Sequence, residues 1–333
     1  MELKDCLPYL LYQFKSEQEI FDSITEISRK FTSERESITD YLHDNRLVSA
    51  YTLYFVLTNI PKFSGVLKWL PAGFIEELKN SVFIDMGAGP GTFSLAFRQW
   101  AGPKKVYQIE TSQKMKEQAR LLWNGFYGPE DLLQDFPQDD QGPRVMFFGH
   151  SANEMGSKIT LDYIKKVNPD HIIFLEPGTK AFFKEMLGIR KTLIERGWNQ
   201  VYPCSTHDHC PMENTENWCH QYLHHVHTPE LERVGQKVGI NRRFMAMTFQ
   251  VFSKGMFKTS NAKIIQVKGE TKFSFEWVIC DQNRLYDVEV MKRNLDKSQQ
   301  KYLASLCAGE VIEYQIDKEL PTGKRRIILS TQK

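Results

Sequence analysis

Cysteine is scarce in this chain, with six in 333 residues. That is too few to staple a fold of this size with disulfides, so the thiols are read as available to metal or as small buried hydrophobes. Long apolar runs are also lacking. The longest, AYTLYFVLTNIPKF, is broken by Thr58, Asn59 and Pro61, short of the roughly 20 residues that a membrane-spanning helix needs. Neither sign of charge dominates, the net being +2, so a basic surface for nucleic acid would have to come from local clustering. No repeat or low-complexity tract is present, which excludes solenoid and disordered classes. The segment MELKDCLPYLLYQFKSEQE has neither the basic n-region and cleavage site of an export signal nor the pattern of an Arg-rich, acid-poor presequence. A cytoplasmic address is expected, or the mitochondrial matrix for a eukaryotic chain.

What is present is ordinary globular material, 41% hydrophobic and 25% charged, enough for one sizeable core with smaller attachments. Residues 1–80 carry apolar positions at helical spacing (Leu10, Phe14, Ile20, Ile24, Ile27; then Leu47, Tyr51, Tyr54), which predicts a helical amino-terminal region. From Val82 short β-rich runs alternate with helical stretches: VFIDMG, KVYQIE, RVMFFG, HIIFLEPG, NQVYP and FMAMTFQVFS. Such alternation predicts an α/β fold with a doubly wound, mostly parallel Rossmann-like sheet over 81–255. Tyr127 to Pro143 is rich in Pro, Gly, Asp and Gln, so one strand of that sheet is expected to be abbreviated there. Residues 256–333 (AKIIQVK, KFSFEWVICD, RLYDVEVMK, EVIEYQID, KRRIILS) read as a small β-rich domain with a helix around Ser298 to Cys307.

The strongest local signal is VFIDMGAGPGTF, where a strand carrying Asp85 runs into Gly87, Gly89 and Gly91. At the carboxyl end of a strand in an open α/β sheet, such glycines let bare backbone turn tightly against a ligand as the next helix begins. A dinucleotide fingerprint needs glycine at 92, where Thr92 stands, so the NAD reading is disfavoured. Asp85 suits a cationic ligand, and Glu110, after the next strand, can accept both ribose hydroxyls. Glycines that serve packing and a Glu110 that merely caps a strand are the plain alternative. The pattern resembles the class I S-adenosylmethionine-dependent methyltransferases. Asn153, Glu154, Glu176 and Thr179 follow later strands and are candidates for the cofactor or substrate pocket, although Glu154 and Thr179 could simply begin helices.

Cys204, Cys210 and Cys219 crowd one loop, YPCSTHDHCPMENTENWCHQY, which can fold around a metal centre. A closed site needs a fourth ligand, for which Cys280 in FEWVICDQ is the choice. Zinc competes with an iron-sulfur centre, because His207, His209 and His220 share the loop. Cys6 and Cys307 are expected to be spectators.

Taken together, the chain resembles the methyltransferase-like family of mitochondrial small-ribosomal-subunit proteins and their bacterial relatives, typified by methyltransferase-like protein seventeen. The likeness runs from about Tyr41 to Cys280 and is carried by RLVSAYTLYFVL, DMGAGPGT, SANEM, FLEPGTKAFFKEMLGIRKTLIERGW, the loop ending WCH, and Cys280. It implies binding of S-adenosylmethionine, a 4Fe-4S cluster on Cys204, Cys210, Cys219 and Cys280, and association with small-subunit ribosomal RNA in ribosome assembly or translation. It leaves catalysis open. There is no Asn-Pro-Pro-Tyr motif, and no general base stands out. As an enzyme the protein would align a sulfonium methyl with an RNA nucleophile; as a non-catalytic assembly factor it would hold cofactor and cluster structurally while basic residues meet phosphates. Lys254, Lys258, Lys263, Lys268, Lys272, Lys324, Arg325 and Arg326 are the candidate contacts, or else a solvated face.

Overall fold

The computed structural model describes residues 1–32, 40–102, 104–137, 142–204, 206–257 and 262–330. Two compact units account for them. Met1–Leu67, Glu77–Ser151 and His224–Met245 make the first, and Lys68–Glu76, Ala152–Leu223 and Ala246–Lys333 the second.

In the first unit, β1 (Val82–Met86), β2 (Val106–Ile109), β3 (Leu132–Leu133) and β4 (Arg144–Gly149) pair in parallel in the order β3-β2-β1-β4. Near-continuous apolar runs are what strands covered on both faces require, and Phe83, Ile84, Val145, Met146, Phe147 and Phe148 are all buried. β3 is cut to two residues, as its turn-rich sequence predicts. The helix Thr92–Ala101 follows β1 and Gln113–Tyr127 follows β2, the latter capped by Ser112 accepting from Met115 N. Amino-terminal helices complete the unit. Asp44 caps Asn45–Tyr51, a π-helical turn spans Thr52–Val56, and Leu57–Leu67 brings Phe63 edge-on to Phe83 and Phe97.

In the second unit, β8 (Phe244–Ser253) lies between β5 (His171–Pro177) and β6 (Asn199–Tyr202) and runs antiparallel to both. β7 (Gln221–His224) is a short further strand. Parallel β3-β2-β1-β4 in one unit, and β5 and β6 flanking a reversed β8 in the other, are the strand orders of a class I methyltransferase, a Rossmann-like fold with one strand turned around.

A separate sheet follows. β9 (Ala262–Glu270), β10 (Ser274–Asp281), β11 (Arg284–Met291), β12 (Val311–Ile312), β13 (Tyr314–Glu319) and β14 (Arg325–Leu329) assemble in the order β12-β9-β10-β11-β14-β13. Only the β11–β14 pairing is parallel among these. The helix Lys297–Ser305, closed by an Asp296–Gln299 capping box, sends Leu303 into a core with Ile264, Trp277, Ile279, Val288 and Ile327. Among the described residues no helix is long and apolar enough to cross a membrane.

Trp277 is the largest side chain of that core and is 1% exposed. Trp277→Ala is expected to cost about 3–5 kcal/mol of stability, read as a lower urea midpoint. An unchanged midpoint would mean that the sheet does not depend on this ring.

Candidate cofactor turn and thiol cavity

Asp85 sits one residue before the end of β1 and is 1% exposed. Its Oδ2 accepts hydrogen bonds from Ser94 N at 3.0 Å and Ser94 Oγ at 2.7 Å. Burial pushes its pKa up to about 7, against the pull of the Ser94 bonds and with a smaller push from the Glu110 charge. Gly87, Gly89 and Gly91 all adopt left-handed φ, at +64°, +54° and +88°. Gly91 is constrained twice, because a Cβ there would also fall 2.5 Å from Gln108 Nε2.

Glu110 grips the same turn from the neighbouring strand. Its Oε2 accepts from Gly89 N at 2.8 Å, and its Oε1 accepts from Thr111 N at 2.7 Å and Ser112 N at 2.9 Å. Oε2, with a single bond, keeps a second lone pair for a ligand hydroxyl, whereas Oε1 is taken by two backbone donors. Gln108 stands opposite Asp85 in the β1–β2 register. Its amide oxygen and nitrogen are both buried and make no hydrogen bond among the described residues. A buried amide without a partner beneath the glycine turn is an unmet hydrogen-bonding demand of the kind that a polar ligand satisfies. Sequence reading missed Gln108 and Ser94; a polar residue inside the apolar run VYQI was the available signal for the first.

The other pocket candidates lie in the second unit. Asn153 and Glu154 are exposed at the start of the helix Ala152–Val167. Buried Glu176 turns back to accept from Ala152 N at 2.8 Å and Asn153 N at 3.4 Å, placing a negative charge where the helix dipole favours it. Thr179 caps the helix Lys180–Glu195 by accepting from Phe182 N. Helix capping therefore accounts for both.

The four cysteines come together. Cys204, Cys210, Cys219 and Cys280 line one cavity with apolar walls from Phe183, Leu187, Met212, Ile265 and Leu285. Arg190 fastens the cysteine loop, donating from Nη2 to the carbonyls of Thr206 (2.9 Å) and Asp208 (3.0 Å), while Asn283 Nδ2 donates to the Asp208 carbonyl at 2.8 Å. Burial pushes the Cys210 thiol up to about 11, helped by Cys204, and the Cys280 thiol up to about 12. Cys219 also lies well above the ordinary thiol range, first through burial and then through its three sulfur neighbours. Among the described residues no three His, Cys, Asp or Glu side chains are gathered so as to hold a metal ion. None of His207, His209 and His220 lines the cavity. His209 faces Glu213, and His220 stacks on Trp218. Cys6 is buried, and the Cys307 thiol donates to the Tyr222 carbonyl.

The basic candidates are mostly spoken for. Lys263 is only 4% exposed and faces the thiols across the Cys280–Lys263 register pair, so it is corrected from a surface contact to a cavity residue. Lys268 pairs with Asp287, Lys324 with Glu276 and Glu289, Arg325 with Glu319, and Arg326 with Glu289. Lys254 donates to the Asn168 carbonyl and Lys272 lies over the Phe273 ring. Lys258 lies outside the described residues.

Residues 152–263 match the family of the mitochondrial small ribosomal subunit protein Rsm22. The resemblance to small-ribosomal-subunit proteins is borne out over that segment, which contains three of the four cavity cysteines. No curated protein matches the chain. Solved structures similar to it include TrmK of M. capricolum in complex with S-adenosyl-homocysteine, at 10% identity over 59% of this chain and 69% of that one, TM-score 0.36. Magnesium protoporphyrin IX methyltransferase of Synechocystis with bound SAM is similar at 11% identity, over 70% of this chain and 97% of that one, TM-score 0.38. The Rsm22-matching segment begins at the helix after β4 and ends in β9, so the glycine turn falls outside it.

A test of the turn follows from Asp85. Its folded pKa of about 7 lies above the ordinary 3.8, so the folded state binds the extra proton between those values. That contribution is whole below about pH 4 and is lost as the pH rises through 7. Relative to the parent protein, Asp85→Asn should gain up to about 4 kcal/mol of stability between pH 4 and pH 8. A pH-independent difference in urea unfolding would remove the buried-carboxylate account.

Proposed function

We propose that this chain is an S-adenosylmethionine-binding, methyltransferase-like protein that carries a 4Fe-4S cluster and acts on or binds small-subunit ribosomal RNA. The observation that carries the reading is the left-handed glycine turn held between two acids, with the unpartnered Gln108 amide beneath it. Asp85, Gly87, Gly89, Gly91 and Glu110 would take the cofactor. When bound, the cofactor supplies a sulfonium methyl for transfer. The chain's own part is to orient it: Glu110 Oε2 offers a lone pair to a ribose hydroxyl, and the bare backbone permits close approach.

The cluster reading rests on the four thiols that line one cavity with apolar walls, the donor number that a 4Fe-4S group takes; zinc, which takes four donors as well, is the alternative. Cys204, Cys210, Cys219 and Cys280 would hold the cluster. The ribosomal partner is supported by the family matched over residues 152–263.

Two measurements test this. Anaerobically purified protein should contain about four irons and matching acid-labile sulfide per chain, with both lost in Cys210→Ser; stoichiometric zinc without iron would reject the cluster. Label from methyl-labelled S-adenosylmethionine should pass to small-subunit RNA with the parent protein and fall at least about 100-fold with Asp85→Ala. Tight RNA binding with no transfer by the parent would favour the non-catalytic assembly factor instead.

A further inference from the structure

One cation stands among the sulfurs of the thiol cavity. Lys263, on β9, is 4% exposed and lines that cavity with Cys204, Cys210, Cys219 and Cys280, all within the second unit. It stands directly opposite Cys280 in the antiparallel β9–β10 register, where paired side chains leave the same face of a sheet with Cβ atoms about 4.5–5.5 Å apart. Its charge reaches two thiols that different segments deliver. Burial first, and then the neighbouring sulfurs, push the Cys219 and Cys280 thiols up, and the Lys263 charge pulls both back down.

The rest of the lining sets the charge of the cavity. Arg190 is the second cation among the lining residues, and no Asp or Glu is among them. Arg190 is already committed, because its Nε donates to Gln200 Oε1 at 2.6 Å and its Nη2 to the two carbonyls of the cysteine loop. Asp281, next to Cys280, has its Oδ2 bound by the Tyr314 hydroxyl at 2.8 Å. A neutral donor also meets a sulfur, Gln221 Nε2 on Cys219 Sγ at 3.6 Å.

Four thiolates around a 4Fe-4S core carry a net double negative charge, and one-electron reduction adds a third. In a buried cavity a fixed positive charge favours the more negative state, because the low dielectric leaves the attraction poorly screened. The potential of such a group follows its net charge and the hydrogen bonds to its sulfurs. We propose that Lys263 is the charge partner of the thiol centre, a positioning residue whose ammonium raises the reduction potential of the cluster held by the four cysteines. This rests on the cluster reading given above and adds to it a residue outside the ligand set.

The test is an anaerobic titration of the full-length protein with dithionite and redox mediators, followed by the electron paramagnetic resonance of the reduced centre. Lys263→Met should keep its iron and hold at least about tenfold less reduced centre at a fixed potential, a midpoint about 59 mV lower for one electron. Lys263→Arg, which keeps the charge, should restore that ratio to within about twofold. An unchanged midpoint in iron-loaded Lys263→Met overturns the assignment and leaves the cluster reading standing. If Lys263→Met is unfolded by circular dichroism or arrives without iron, Lys263→Gln, which keeps a donor and loses the charge, carries the measurement; a midpoint equal to the parent's overturns the charge role. Iron lost from both neutral variants and kept in Lys263→Arg supports it, and iron lost from all three overturns it. A parent protein with zinc and no iron, or with no metal, ends the cluster reading and this assignment together.

Discussion

One buried carboxylate governs the end of β1. Asp85 has almost no access to water and meets that cost by accepting both the backbone and the hydroxyl hydrogen of Ser94. Those two bonds tie the strand to the first turn of the helix Thr92–Ala101, so the glycines between them have little choice of path. Glu110 secures the same turn from the next strand by binding Gly89 N. The backbone is thereby held in shape by the chain's own hydrogen bonds. Replacing either acid by a neutral side chain removes a constraint as well as a charge.

Much of the fold was legible in the sequence, for identifiable reasons. The strands VFIDM, VYQI, RVMFFG and HIIFLEP are short apolar runs bounded by turn residues, and each became a strand. The collapse of one strand to Leu132–Leu133 was legible too, because the stretch around it is rich in residues that break pairing. The glycine turn was visible because its constraint is local. Long-range encounters were not visible. Nothing in the spacing of Lys62 and His150 announces that they meet, and nothing in KIIQVK distinguishes Lys263, turned toward the thiols, from a solvated lysine. Such contacts depend on strand register and helix packing, which a period of 2 or 3.6 residues does not encode.

The thiol cavity shows how two distant segments produce one chemical environment. Arg190 and Asn283 hold the carbonyls of the 206–208 turn, which positions Cys204 and Cys210, while β10 delivers Cys280. Burial keeps the Cys210 and Cys280 thiols protonated well beyond neutral pH. Any metal centre that forms there must therefore displace protons from Cys210 and Cys280, so its assembly is coupled to pH as well as to folding. Lys263, buried at the cavity edge, supplies a positive charge that partly offsets the thiolates such a centre would create.

The charges of the carboxy-terminal sheet bear on how the protein would meet RNA. A cluster of lysines and arginines in sequence looks like a phosphate-binding face, yet Lys268, Lys324, Arg325 and Arg326 are each matched to a carboxylate on another strand of the same sheet. Surface pairs of this kind add little to stability, but they do neutralise the field that phosphates would feel. Affinity from counterion release scales with the number of phosphates newly neutralised, and side chains already sharing their charge with Glu276, Glu289, Glu319 or Asp287 contribute little to that number. The sheet is better suited to holding Cys280 in register than to gripping a polyanion, so RNA affinity would have to arise elsewhere on the chain.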